Sequence, residues 1–153
     1  MKQLWAPWRL EYIRQADELP GCIFCEPEEG LVVARDEHAF VLVNRYPYAS
    51  GHLMVAGYRH EGDFAALDAE EALEIHRLAS TALGVLAQTI RPQGFNLGWN
   101  LGRVAGAGVV DHVHLHVVPR WAGDTNFMPV LADVKVMPEA LEATRRKLAD
   151  AWP

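Results

Sequence analysis

Cysteine is scarce, with two in 153 residues, which excludes a disulfide framework as the means of holding the fold. No apolar run approaches the ~18 residues of a membrane span. The opening stretch MKQLWAPWRLEYI lacks the apolar core of a secretory signal, so no membrane partner is expected. Positive charge is in deficit: 14 Lys and Arg stand against 20 Asp and Glu, a formal net charge of −6. A broadly basic nucleic-acid surface is therefore not expected, because neutralising phosphates takes a clustered excess of Lys and Arg. Repeats and low-complexity tracts are also missing. What is present is ordinary globular usage, 50% hydrophobic and 22% charged. The length is about that of one domain, too short for a TIM barrel of ~250 residues. The expectation is a soluble, cytoplasmic protein.

Three segments follow from the patterning. Residues 1–20 form an aromatic arm with Trp5 and Trp8, bounded by Pro7 and Pro20; residues 21–130 form the main domain; residues 131–153 form a C-terminal helical extension. Leu31–Arg35 and Ala39–Asn44 are β-branched runs split by Asp36-Glu37-His38, a hairpin pattern. His52–Ala56 reads as a third strand, Gly94–Asn100 as a weaker one, and Val109–Pro119 as the strongest. Asp68 with Glu71 three residues on is a capping box. Ala72, Ile75, Ala79, Leu83, Leu86 and Ile90 then fall on one helical face, Arg91-Pro92 stops the helix, and His76 borders the apolar stripe. Gly84 is either a close approach to the sheet or a tolerated defect of ~1 kcal/mol. Pro138 opens a last helix ending in Lys147. The sum is an α+β fold: an antiparallel β-sheet with one long helix and a C-terminal helix.

The informative run is Asp111-His112-Val113-His114-Leu115-His116-Val117-Val118-Pro119-Arg120. Strand alternation puts His112, His114 and His116 on one face and Val113, Leu115 and Val117 towards the core. Thr, Lys or Glu would be the usual solvent-face choices. Imidazoles that are mostly neutral at pH 7 suit either of two roles. They are ligands of a catalytic zinc or iron, or a central nucleophile flanked by donors to phosphate oxygens. Cys22-Ile-Phe-Cys25 is half a metal site or a redox pair; no thioredoxin-like βαβ pattern surrounds it.

The run His112-Val-His114-Leu-His116-Val-Val resembles the His-φ-His-φ-His-φ-φ signature of the histidine triad (HIT) superfamily at every position. NRYPYASGH, with Asn44 eight residues before His52, and Asn100 in WNLG before a glycine-rich loop extend the match over roughly residues 20–130. LWAPWR and PRWAGDTNFMPV resemble the zinc-containing bacterial diadenosine tetraphosphate phosphorylase-like branch, related to the fragile-histidine-triad proteins. The resemblance implies a HIT-like fold and an enzyme that cleaves dinucleoside polyphosphates at the α-phosphate, with phosphorolysis favoured over hydrolysis. It implies His114 as the nucleophile that becomes nucleotidylated, its other ring nitrogen donating to the His112 carbonyl. It further implies His116 and His52 on the α-phosphate oxygens, Asn44 on the ribose, and Asn100 on a phosphate oxygen or the leaving group. A structural Zn2+ on Cys22, Cys25, His60 and His112, Mg2+ accompanying the polyphosphate, and a homodimer are implied as well. Phe24 with Leu42 is a candidate wall for a purine. The chain departs from the family where many members carry Gln, Ser or Thr three or four residues before the first triad histidine: here those positions are Gly108 and Val109, after Ala107. Backbone N–H groups of the glycine-rich loop, Gly106 and Gly108 included, are the replacement expected for the leaving group, with Arg103 and Arg120 as nearby cations. Other functions left open are a nucleotide–amine hydrolase (a purine nucleoside phosphoramidase), a non-catalytic nucleotide-binding module and a cupin-like metalloenzyme.

Overall fold

The apolar runs form strands in the order the patterning predicts. The structure, a computed structural model, describes residues 21–124 and 139–153; the arm 1–20 and the segment 125–138, with Pro138, lie outside the described residues. β1 (Val32–Arg35) and β2 (Ala39–Val43) make the hairpin, closed by Asp36 N–H donating to the Ala39 carbonyl at 2.9 Å. β3 (Leu53–Gly57) pairs with β2, and β5 (His114–Arg120) lies between β3 and β4 (Gly94–Trp99). The result is one antiparallel five-stranded sheet, β1-β2-β3-β5-β4.

Alternation along the strands sorts side chains onto two faces. On one face Ala39, Val41, Val43, Leu53, Val55, Leu115 and Val117 pack against α1 (Ala69–Thr89) and Leu148 of α2 (Leu141–Asp150). The other face carries Phe40, Leu42, Met54 and Ala56, covered by Phe24 from the turn between the two cysteines. Register sets Ala56 beside His114 and Met54 beside His116, so these two histidines belong to this second face.

Both halves of the capping box form at Asp68 and Glu71. The buried stripe of α1 is turned from the expected one: Leu78, Ala82 and Val85 are buried, while Ala72 is exposed. Two carboxylates share the buried side because each has donors: Glu71 accepts from Arg59 Nη2 at 2.6 Å and from Asp68 N–H at 3.2 Å, and Glu74 accepts from His38 N–H. Gly84 is exposed with open space around it, so it is a helix defect rather than a close approach. His76 is exposed. The C-terminal helix runs past Lys147 to Asp150 and docks on β1, with Arg145 Nε donating to the Val32 carbonyl at 2.8 Å.

The strongest predicted strand is shorter than its apolar pattern. Val109–Val113 leave the sheet and β5 starts at His114. The Val113 N–H donates to the Glu61 carbonyl at 2.7 Å instead of to a strand neighbour. Gly62 packs so closely on this segment that a Cβ would lie 3.0 Å from Asp111 Cα.

Candidate functional site

The three histidines therefore do different things. His112, just before β5, is 1% exposed and turns its Nδ1 towards Cys22 Sγ at 3.3 Å and Cys25 Sγ at 3.7 Å. His60 Nδ1 lies 3.2 Å from Cys25 Sγ. One ligand atom from each of Cys22, Cys25, His60 and His112 lies within 4.8 Å of the others, the one such His/Cys/Asp/Glu group among the described residues. A tetrahedral zinc with Zn–S near ~2.3 Å and Zn–N near ~2.0–2.1 Å has ligand–ligand edges of about 3.3–3.8 Å; the Cys22–His112, Cys25–His60 and Cys25–His112 contacts, at 3.3, 3.2 and 3.7 Å, are close to these, and the two-thiol, two-imidazole donor set suits zinc. The outer partner fits too: the His112 Nε2–H donates to the Gly57 carbonyl at 2.9 Å, which leaves the Nδ1 lone pair facing the thiols.

His114 Nδ1–H donates to the His112 carbonyl at 2.9 Å, so an uncharged ring keeps its lone pair on Nε2. Burial holds both His112 and His114 below the usual histidine range, which keeps the rings uncharged near neutral pH. His114 is 6% exposed. No buried side-chain nitrogen or oxygen among the described residues lacks a partner, so Nε2, which has none of the protein bonds described here, is where the ring reaches solvent. Phe24 backs the other side, its ring centre 4.5 Å from that of His114 and 5.2 Å from that of His112.

A relay of hydrogen bonds fixes the next histidine. Tyr48 N–H donates to His52 Nδ1 at 3.0 Å, and His52 Nε2 lies 2.9 Å from His116 Nδ1. With the rings uncharged, His52 carries its proton on Nε2 and gives it to His116 Nδ1, so His116 presents an Nε2–H. Asn100 Nδ2 stands 3.4 Å from that nitrogen, a donor beside a donor rather than a bond between them. His52 is fully buried behind His116, with both ring nitrogens engaged.

Cavities lie on both sides of this pair. One of about 320 Å3 is lined by Ile23, Leu31, Leu42, Met54 and Asn44, with Glu28 and Arg45 as its charged lining. Asn44 is fixed there: its Oδ1 accepts from Tyr46 N–H at 2.8 Å and its Nδ2 faces Met54 Sδ at 3.4 Å. Leu42 is in this wall as expected; Phe24 is not, since its ring is spent against His114, and Ile23 takes that place. The other cavity, about 360 Å3, holds His116, Asn100 and Arg120. Of the glycine-rich loop, Gly106 adopts a left-handed conformation (φ 93°) and its N–H donates to the Arg103 carbonyl at 2.9 Å. That N–H is committed inside the loop, and among the described residues the Gly108 N–H makes no backbone bond of this kind.

Sequence reasoning missed Phe24 as a support for His114 and the Tyr48–His52 relay. It missed Arg59, Glu61 and Glu71, which hold the loop carrying His60 against the segment before β5. The relay left no signal in residue type, because Tyr48 contributes its backbone N–H.

The HIT domain family profile matches residues 27–123. An AP-4-A phosphorylase of Mycobacterium tuberculosis is 40% identical over 165 aligned positions, covering 99% of this chain and 85% of that protein. Among solved structures, a hypothetical histidine triad nucleotide-binding protein of Sulfolobus tokodaii superposes with a TM-score of 0.69 at 25% identity, over 85% of this chain and 91% of that one. A Zn-bound histidine triad family protein of Mycobacterium smegmatis gives a TM-score of 0.70 at 23% identity, over 86% of this chain and 93% of that one.

Proposed function

The chain belongs to the HIT domain family, and from that premise we propose that it cleaves dinucleoside polyphosphates such as diadenosine tetraphosphate at the α-phosphate, through a nucleotidyl adduct on His114, with phosphate favoured over water as the acceptor. The observation that carries this reading is the pairing of opposite ring states. His114 offers an Nε2 lone pair, and His116, on the same face of β5, offers an Nε2–H. A nucleophile and an adjacent donor aimed at developing charge are what phosphoryl transfer needs.

In this mechanism one nucleoside lies in the cavity lined by Ile23, Leu31 and Leu42, with Asn44 at its ribose. His114 Nε2 bonds to the α-phosphorus as the α-phosphorus–oxygen bond to the rest of the chain breaks, and ATP leaves with that electron pair. His116 Nε2–H and Asn100 donate to the α-phosphate oxygens. The ring of His114 becomes cationic in the adduct, and the His112 carbonyl accepting from Nδ1–H offsets that charge. The acceptor then bonds to phosphorus as the nitrogen–phosphorus bond breaks, giving ADP with phosphate or AMP with water. The Gly108 N–H is the remaining backbone donor for the leaving group, and Mg2+ enters on the polyphosphate.

Cys22, Cys25, His60 and His112 would hold Zn2+ as a four-ligand cross-link with no open position for substrate. Its contribution is structural, fixing the turn that carries Phe24 to the segment that ends in His114. Among the described residues no strand lies outside β4, where Leu97 is 47% exposed, which supports a homodimer, and two free thiols suit a reducing cytoplasm.

The test is product analysis with diadenosine tetraphosphate, with and without phosphate. ADP and ATP formed only with phosphate support phosphorolysis; AMP and ATP mean that water is the acceptor. No turnover in either condition overturns the reading.

A further inference from the structure

Beyond His116 the catalytic face of β5 continues through Val118 to Arg120, and nothing in the mechanism above uses that stretch. β4 runs antiparallel beside it, setting Gly98 opposite His116 and Asn96 opposite Val118. Gly98 leaves a gap: a Cβ there would meet no heavy atom within 4 Å. The resulting trough is the cavity of about 360 Å3. His116 stands at its inner end and Arg120 four residues further out, about 13 Å along the strand.

Arg120 is held rather than loose. Its Nε and Nη2 donate to the two carboxylate oxygens of Asp124, the latter at 2.9 Å, and its Nη1 donates to Asn96 Oδ1 at 2.8 Å. Three of the five guanidinium N–H groups are thus taken, which leaves two in a fixed plane for a ligand. Asp124 also cancels most of the long-range charge. An anion here is recognised by directed N–H groups rather than trapped by net charge, and a highly charged product can leave.

We propose that this trough is the subsite for the leaving polyphosphate, and that Arg120, positioned by Asp124 and Asn96, contacts its distal phosphates and so selects substrates by the length of the leaving group. The inference rests on the proposed reaction and goes beyond it. If one nucleoside fills the cavity at Asn44 and its α-phosphate sits between His114 and His116, the remainder of the molecule must leave on the side of the trough. Several phosphates with a nucleoside span the distance to Arg120. A small aryl leaving group does not.

The experiment compares kcat/KM on diadenosine tetraphosphate with kcat/KM on the p-nitrophenyl ester of AMP, for wild type, Arg120→Gln and Arg120→Lys, each checked for its melting temperature. The ratio of the two values should fall about tenfold in Arg120→Gln, the loss of one charge-assisted contact. Arg120→Lys should recover part of it, because it keeps the charge but not the fork. An unchanged ratio, with both substrates falling in parallel or neither falling, overturns the proposal. A wild-type protein that turns over neither substrate overturns the proposed reaction itself. One that cleaves both, with a ratio insensitive to Arg120, leaves the reaction standing and removes only the subsite.

Discussion

Phe24→Ala separates support of His114 from support of the fold. Phe24 is 1% exposed, lies between the two cysteines, and packs on Phe40, Leu42, Met54 and Ala56 as well as on both histidine rings. Truncating a buried Phe costs about 3–5 kcal/mol through lost transfer energy and the cavity left behind. A domain has only ~5–15 kcal/mol in total, so the variant should fold at 25 °C with a clearly lower urea midpoint. The second effect is local. Without the ring at 4.5 Å, the His114 imidazole keeps its Nδ1 bond but loses its backing, and a misplacement of ~1 Å at a reacting atom costs about 10²-fold. We expect kcat/KM to fall roughly 10- to 100-fold at a temperature where circular dichroism shows the variant fully folded. Phe24→Leu should lose ~1–1.5 kcal/mol and much less activity. Urea unfolding and steady-state kinetics on the same preparations are the assay. A destabilised Phe24→Ala protein that keeps kcat/KM within about twofold would refute the positioning argument, and one with no loss of stability would refute the burial argument.

Other expectations follow from the same geometry. Cys22→Ser, or dialysis against a strong chelator, should take bound metal from one equivalent to none by elemental analysis and lower the melting temperature, because apparent zinc binding of ~10–16 kcal/mol in small domains is folding energy; metal retained on the histidines would contradict the ligand assignment. Gly84→Ala fills open space on an exposed helix face and should raise stability by about 0.5–1 kcal/mol, or about 2–3 °C by calorimetry. Gly51→Ala should lose roughly 2–4 kcal/mol in urea unfolding, since φ is +78° and the new Cβ would lie 2.6 Å from Ile90 Cδ1.

Much of the site was legible because its signals are local. Alternation across His114-Leu115-His116 sorts donors from core by the two-residue period alone, and the Asp68–Glu71 box states its own helix start. What sequence could not show depends on contacts between distant parts of the chain. His112 belongs to the strand by pattern, yet Cys22, 90 residues earlier, and the Glu61 carbonyl draw it out. Phe24 reads as a pocket wall until the turn folds over His114. Glu71 and Glu74 look like solvent-facing charges, and only the arrival of Arg59 and the His38 amide makes their burial tolerable. His52 carries no mark in sequence of its bond to His116, which is set by a backbone N–H of Tyr48 aimed at the other ring nitrogen.

The most direct measurement is a rapid quench into base with substrate radiolabelled at the α-phosphate. Wild-type protein should carry a label that is stable in base, is lost in acid and maps to the peptide containing His114, while His114→Ala carries none. Label persisting in His114→Ala, or wild-type turnover with no labelled protein at any quench time, would contradict the account.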